Sequence, residues 1–171
     1  MNGPARIVTV GERFSTTLTL SADSVKSFAT LVNDMNPLHH DDAYAAQSRF
    51  GALIASGTQP TAHLMALIAT HFSRFAQPLG LEFDIKLKKA VYSDDTLKFT
   101  WRVRSAFWKP SLAGDLVQLD GDAVNQRNET VVLASATVLV MPKPASEFAP
   151  TSPPTLAPTF ASEPTQKGRA P

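Results

Sequence analysis

Cysteine is absent from the 171 residues. Its absence excludes disulfides, thiolate metal sites and a cysteine nucleophile, and it fits a reducing compartment, so a cytoplasmic protein is the expectation. Charge is sparse as well. Charged residues make up 18% of the chain with a formal net charge of +1, and the stretch up to Met141 carries 13 basic and 13 acidic side chains. Lys86, Lys88 and Lys89 form a short local cluster rather than a stripe, so charge lends no support to nucleic-acid binding. No apolar run approaches the roughly 20 residues that span a bilayer. Met1 to Val10 lacks the apolar stretch after a basic start that marks a secretory signal, so neither a membrane nor an export role is expected. Walker-type and dinucleotide-type glycine patterns are missing, and Ser56 lacks the Gly-x-Ser-x-Gly setting of a serine hydrolase. What remains, 43% hydrophobic, has the composition of one globular domain of ordinary size.

Proline is plentiful at one end only. Eight of the 13 prolines fall in the last 30 residues, among Ser, Thr, Ala, Lys and Glu. Such a segment buries too little apolar area to offset its ordering entropy. The expectation is a folded domain over residues 1–141 and a disordered Pro-rich tail over 142–171.

Within the domain, Glu12 to Leu20 alternates as a strand with Phe14, Thr16, Leu18 and Leu20 on one face. Ser21 is placed to cap a helix running to about Val32. Asp41 is placed to cap a short helix over Asp42 to Ser48. Gly57 to Phe75 reads as a long helix, with Pro60 tolerated in its first turn. Apolar residues cover most of its circumference, so it is expected to be buried on nearly all sides. From Leu81 onward come four long, mostly alternating runs: Leu81–Val91, Thr96–Phe107, Leu112–Asn125 and Thr130–Val140. Consecutive long strands imply an antiparallel sheet rather than βαβ repeats. The predicted class is α+β: a curved antiparallel sheet wrapped around a long buried helix, in the manner of a hot-dog fold.

The chemistry concentrates in Asn33-Asp34-Met35-Asn36-Pro37-Leu38-His39-His40-Asp41-Asp42. A carboxylate and an imidazole stand five residues apart, separated by a proline that forbids a simple helix. Asp34 follows a helix C-terminus, where the dipole disfavours negative charge. That position suits an Asx turn equally with a general base made more basic by its surroundings. His39 gains interest from Pro37. The proline fixes its own φ and pushes Asn36 toward extended backbone, so the connector can fold back and bring Asp34 and His39 to one cavity. Asn36 is available to hold that loop through side-chain hydrogen bonds. No spacing in the His39–Asp42 cluster places ligands on one face, so no metal is expected; Asp41 and Asp42 read as first-turn carboxylates of a helix. Gly57, at the start of the long helix, offers a backbone N–H and the positive end of the dipole to a developing oxyanion, while Ser56 and Thr58 are equally ordinary caps. His63 and His71 are expected as polar residues at the helix's less buried edge.

These residues in this order resemble the MaoC-like dehydratase family, which includes the (R)-specific enoyl-CoA hydratases. Asp34-Met35-Asn36-Pro37-Leu38-His39-His40-Asp41 matches the family's Gly-Asp-x-Asn-Pro-hydrophobic-His-x-Asp motif from the aspartate onward. The likeness continues through Tyr44-Ala45, Arg49-Phe50-Gly51, the Gly57 helix start and the turn Tyr92-Ser93-Asp94-Asp95-Thr96-Leu97, and it covers most of residues 12–140. Asn33 and Asp94 stand where the family has glycine; both residue types tolerate left-handed backbone. Ser56 and Thr58 stand where the best-known hydratases have His and Met beside the glycine.

The resemblance implies a hot-dog homodimer that reversibly hydrates trans-2-enoyl-CoA to (R)-3-hydroxyacyl-CoA. Asp34 and His39 would be the catalytic dyad, and the Gly57 N–H the oxyanion donor. Asn36 and Ser56 would support them. The CoA thioester is then substrate, with no cofactor. Two rivals share the fold: a hot-dog acyl-CoA thioesterase, which has no need of the Asn36-Pro37 connector, and a non-catalytic acyl-thioester-binding protein.

Overall fold

A computed structural model describes residues 7–144. In chain order these form β1 (Arg13–Thr19), α1 (Ala22–Leu31), α2 (Asp42–Gln47), α3 (Thr58–Phe72), β2 (Ala76–Leu87), β3 (Thr96–Lys109), β4 (Gly114–Asn125) and β5 (Thr130–Pro142). The strands make one antiparallel sheet in the order β1-β3-β4-β5-β2. Irregularities at Val103/Ser105, Gly80/Glu82 and Ala123/Val124 interrupt its register, as expected for a sheet that must bend around a helix. The predicted α+β hot-dog arrangement is therefore present. Of the Pro-rich tail expected over 142–171, Pro142 is instead the last residue of β5, and residues from 145 on lie outside the described residues.

The sheet closes over α3 through period-2 burial: Leu97, Phe99, Trp101 and Val103 of β3 and Val132, Ala136, Val138 and Val140 of β5 face inward. Trp101 anchors the contact. Its ring is fully buried and its indole N–H donates to the Leu64 carbonyl at 2.7 Å. Gly121 pairs directly with it, and a Cβ there would stand 2.4 Å from the Trp101 ring. Glycine in this strand marks a close approach of backbone to an aromatic face.

Three expectations about α3 and its neighbours need correction. The helix is not buried all round: Leu64, Ile68 and Phe72 are buried, but Ala66 and Ala69 are exposed and Met65 is half-buried. That flank lies beside β2, an edge strand that no other strand covers among the described residues. His71 is not at an exposed edge either. It is buried, donates from Nε2 to Glu12 Oε1 at 2.7 Å, accepts Arg74 at Nδ1, and stacks on Phe14 with ring centroids 3.8 Å apart. Saturating both ring nitrogens is what lets an imidazole sit in the core. Finally, β2 begins at Ala76 rather than Leu81. Pro78 is accommodated because an edge strand does not need every N–H for the ladder.

Candidate active site

The loop after α1 is built by local chemistry. Ser21 caps α1 by accepting from the Ser24 N–H. At the other end Asn33 takes a left-handed φ of 58°, its N–H donates to Thr30 O, and the Asp34 N–H donates to Ala29 O. That pair of bonds is a Schellman ending, which normally asks for glycine and accepts asparagine. Asp94 likewise takes a φ of 67° in the β2–β3 turn. Both replacements of glycine thus keep the backbone they need.

Beyond Asp34 the chain folds back on itself. The Asn36 side chain accepts from the Leu38 N–H and caps a short 3-10 turn, Pro37–His39, with Pro37 in its first position. The Asn36 N–H in turn donates to Asp34 Oδ1 at 3.3 Å. This leaves Oδ2 facing His39 Nε2 at 3.4 Å. His39 is buried and its Nδ1–H donates to the Ile54 carbonyl at 2.8 Å, which leaves Nε2 as the lone-pair nitrogen aimed at Asp34. The separation is longer than a direct hydrogen bond, and both atoms are within reach of one shared oxygen.

Residues 53–55 hold the two halves together. Ala55 N–H donates to Val91 O, Ser93 N–H to Leu53 O, and Ile54 N–H to Leu38 O. A short β-like bridge to the β2–β3 connection thus sits on one side and the dyad loop on the other. Asp95 locks the connection: its buried carboxylate accepts from the Tyr92 N–H, Gln126 and Arg127. Immediately after this segment Gly57 opens α3. Among the described residues no acceptor takes the Gly57 N–H, so this helix start keeps an N–H without a protein partner, and Gly57 itself lines cavities shared with His39 and with Asp34.

The three remaining residues of the cluster have structural work. His40 Nε2 donates to the Asp34 carbonyl at 2.7 Å. Asp41 caps α2 through the Tyr44 N–H, and Asp42 pairs with Lys26. The four side chains of His39–Asp42 therefore point to four different partners. His40 as a clamp on Asp34 is legible only in three dimensions, since its acceptor is a backbone oxygen.

The electrostatics of Asp34 differ from expectation. Its place after a helix C-terminus predicts a more basic carboxylate, yet its pKa is lowered from the ordinary 3.8. The Ser56 hydroxyl contributes most, partial burial opposes it, and the Asn36 N–H and then His39 and His40 lower it further. Donors aimed at the charged form outweigh the dipole. Ser56, itself buried and 2.7 Å from Thr58 Oγ1, therefore acts on Asp34 as well as on the helix start. A carboxylate whose folded pKa is depressed contributes stability above its unfolded pKa, and that contribution is lost as pH falls through the folded value. The expected result is an Asp34 carboxyl titration midpoint below 3.8 by NMR, moving upward in Ser56→Ala. An unchanged midpoint in that variant would remove Ser56 from the site's support.

Two cavities meet at this point. One, about 410 Å³, is lined by His39, Phe50 and Pro60 together with Arg49, Lys88 and Lys89. The other, about 650 Å³, is lined by Asp34, Ser56, Thr61, Ala62, Met65 and Ile85. Gly57 and Leu87 line both. The arrangement brings together a carboxylate, an imidazole and a helix start, with three cations lining one cavity and mostly apolar side chains lining the other.

Comparison with known proteins agrees with the fold. A family described as MaoC like domain matches residues 7–111. Among solved structures, the chain is similar to a MaoC-like dehydratase from Rhodospirillum rubrum, at 27% identity over 80% of this chain and 95% of that one, with a TM-score of 0.68. It is similar to R-hydratase PhaJ1 from Pseudomonas aeruginosa, at 25% identity over 85% and 92% of the two chains, with a TM-score of 0.70. An (R)-hydratase from A. caviae involved in PHA biosynthesis shares the fold at 23% identity over 78% and 98%, also with a TM-score of 0.70. No curated protein matches the chain.

Proposed function

The chain belongs to the MaoC-like domain family, and on that premise we propose that it is a hydro-lyase converting trans-2-enoyl-CoA and water to (R)-3-hydroxyacyl-CoA, reversibly. The observation that carries this reading is the Asp34 Oδ2–His39 Nε2 pair at 3.4 Å, with Gly57, whose N–H has no acceptor among the described residues, lining the cavities of both.

In the proposed reaction the thioester carbonyl accepts the Gly57 N–H, and a water lies between the carboxylate and the imidazole. As the water oxygen bonds to C3, one of its protons passes to the Asp34/His39 pair and negative charge moves onto the thioester oxygen. The helix start stabilises that charge. The pair then returns a proton to C2, so that H and OH are added and no group leaves. The His39 tautomer set by Ile54 O presents Nε2 in the acceptor form the first step needs. An ionised Asp34 holds the imidazolium that forms. The thioester itself acidifies C2, so the scheme uses no cofactor or metal.

CoA as carrier is supported by the lining of the His39 cavity. Arg49, Lys88 and Lys89 stand together there, with the Arg49 guanidinium 4.9 Å from the Phe50 ring centroid. Cations beside a half-buried aromatic ring suit a phosphorylated nucleotide handle. The working form in this reading is a homodimer. Leu79 and Leu81 on the uncovered edge strand β2 are exposed, and a second copy would bury them. Mass measurement in solution should return twice the chain mass; a monomer at assay concentrations would overturn this part.

The test is an assay of crotonyl-CoA with two readouts, loss of the enoyl absorbance and release of free thiol. Hydration without thiol release is expected. Thiol release would make the protein a thioesterase. Binding without either change would make it a thioester-binding protein.

A further inference from the structure

We infer that Leu87 is a specificity-determining residue of this site, a side-chain wall that admits linear acyl thioesters and turns away those branched at C2. The inference rests on the hydratase reading, since it needs a thioester carbonyl at Gly57.

The argument begins from the missing side chain of Gly57. The three atoms nearest to where its Cβ would stand are all from Leu87: Cδ1 at 2.5 Å, Cγ at 3.7 Å and Cδ2 at 3.8 Å. The Leu87 isobutyl group therefore lies directly over the residue that carries the free N–H. Asp34 and His39, although 3.4 Å apart, open into different cavities, and Leu87 lines both. A substrate that meets both members of the dyad must pass this side chain.

Bond lengths bring C2 within reach of it. A carbonyl oxygen accepting from Gly57 sits about 2.9 Å from the nitrogen, and the carbonyl carbon is roughly 1.2 Å further. C2 is the next atom along the acyl chain, so its substituents share the space over Gly57 with Leu87. A hydrogen at C2 fits beside the isobutyl group; a methyl group competes with it. The side chain has room to respond to mutation without harm to the core. Leu87 is the last residue of β2, is 57% exposed, and is paired through its backbone to Val132. Lys88 and Lys89 continue that anchoring by donating from their N–H groups to Val131 O.

The experiment compares binding of butanoyl-CoA and 2-methylbutanoyl-CoA by calorimetry in wild type, Leu87→Ala and Leu87→Phe. These saturated thioesters report on the wall without turnover. Wild type is expected to favour the linear ligand by about tenfold or more, the scale on which a tight apolar pocket resolves one methyl group. Leu87→Ala should lose most of that preference through tighter binding of the branched ligand, and Leu87→Phe should keep it. Equal wild-type affinities, a preference unchanged in Leu87→Ala, or no binding of either thioester each overturns the assignment. Failure of the hydratase reading looks different: intact linear preference with no hydration of crotonyl-CoA by the wild-type protein.

Discussion

Asp34→Asn and His39→Gln should each lower kcat for enoyl-CoA hydration by roughly 10² to 10⁴ while leaving the fold intact. Each substitution removes proton transfer and preserves shape. An asparagine at 34 can still accept the Asn36 N–H and still sits beneath the His40 clamp. The partners of His39 make the second variant informative: glutamine retains an N–H for the Ile54 carbonyl but offers Asp34 no basic nitrogen. Because the two groups act on one water, the double variant should lose little more than the worse single one. Thermal melts within a few degrees of wild type would establish that the loss is chemical. Wild-type turnover in both variants would refute the dyad.

Replacing Gly57 by proline should cost on the order of 10² to 10³ in kcat, the usual loss when one oxyanion donor is removed. Gly57 has φ −58°, which is proline's own preferred value, and its N–H makes no bond that the fold would miss. Gly57→Ala is the control, since it keeps the N–H and adds only a Cβ against the movable end of Leu87. A large loss in Gly57→Pro with a small one in Gly57→Ala assigns the effect to the donor. Equal losses in the two would mean that Leu87 was displaced onto the substrate path, and the oxyanion role would fall.

Much of this site was legible from residue order because its parts are local. The Schellman ending at Asn33, the Asx turn of Asp34, the Asn36 cap and the Pro37 turn use partners within a few residues. Ser21 and Asp41 cap the helices they precede for the same reason. The departures from expectation all have distant partners. His71 is buried because Glu12 and Phe14, about sixty positions earlier, enclose it. Asp34 is made less basic by Ser56, twenty-two positions on. Pro78 lies within a strand because β2 falls at the sheet edge, a fact of strand order.

The amino-acid sequence by itself determined the α+β class, the antiparallel run of strands, the caps, and the identity of Asp34, His39 and Gly57 as the groups to test. The class, the strands and the caps follow from hydrophobic period or from hydrogen bonds between near neighbours, and the three site residues from the resemblance of their motif to a known family; none of these needs knowledge of how distant segments meet. Only the tertiary structure decided that His39 Nε2 faces Asp34, that residues 53–55 seat Gly57 beside the pair, and that one flank of α3 stays open. It alone put Leu87 over Gly57. Those outcomes depend on contacts between segments brought together by sheet closure, where burial and hydrogen-bond satisfaction, not local preference, choose the arrangement.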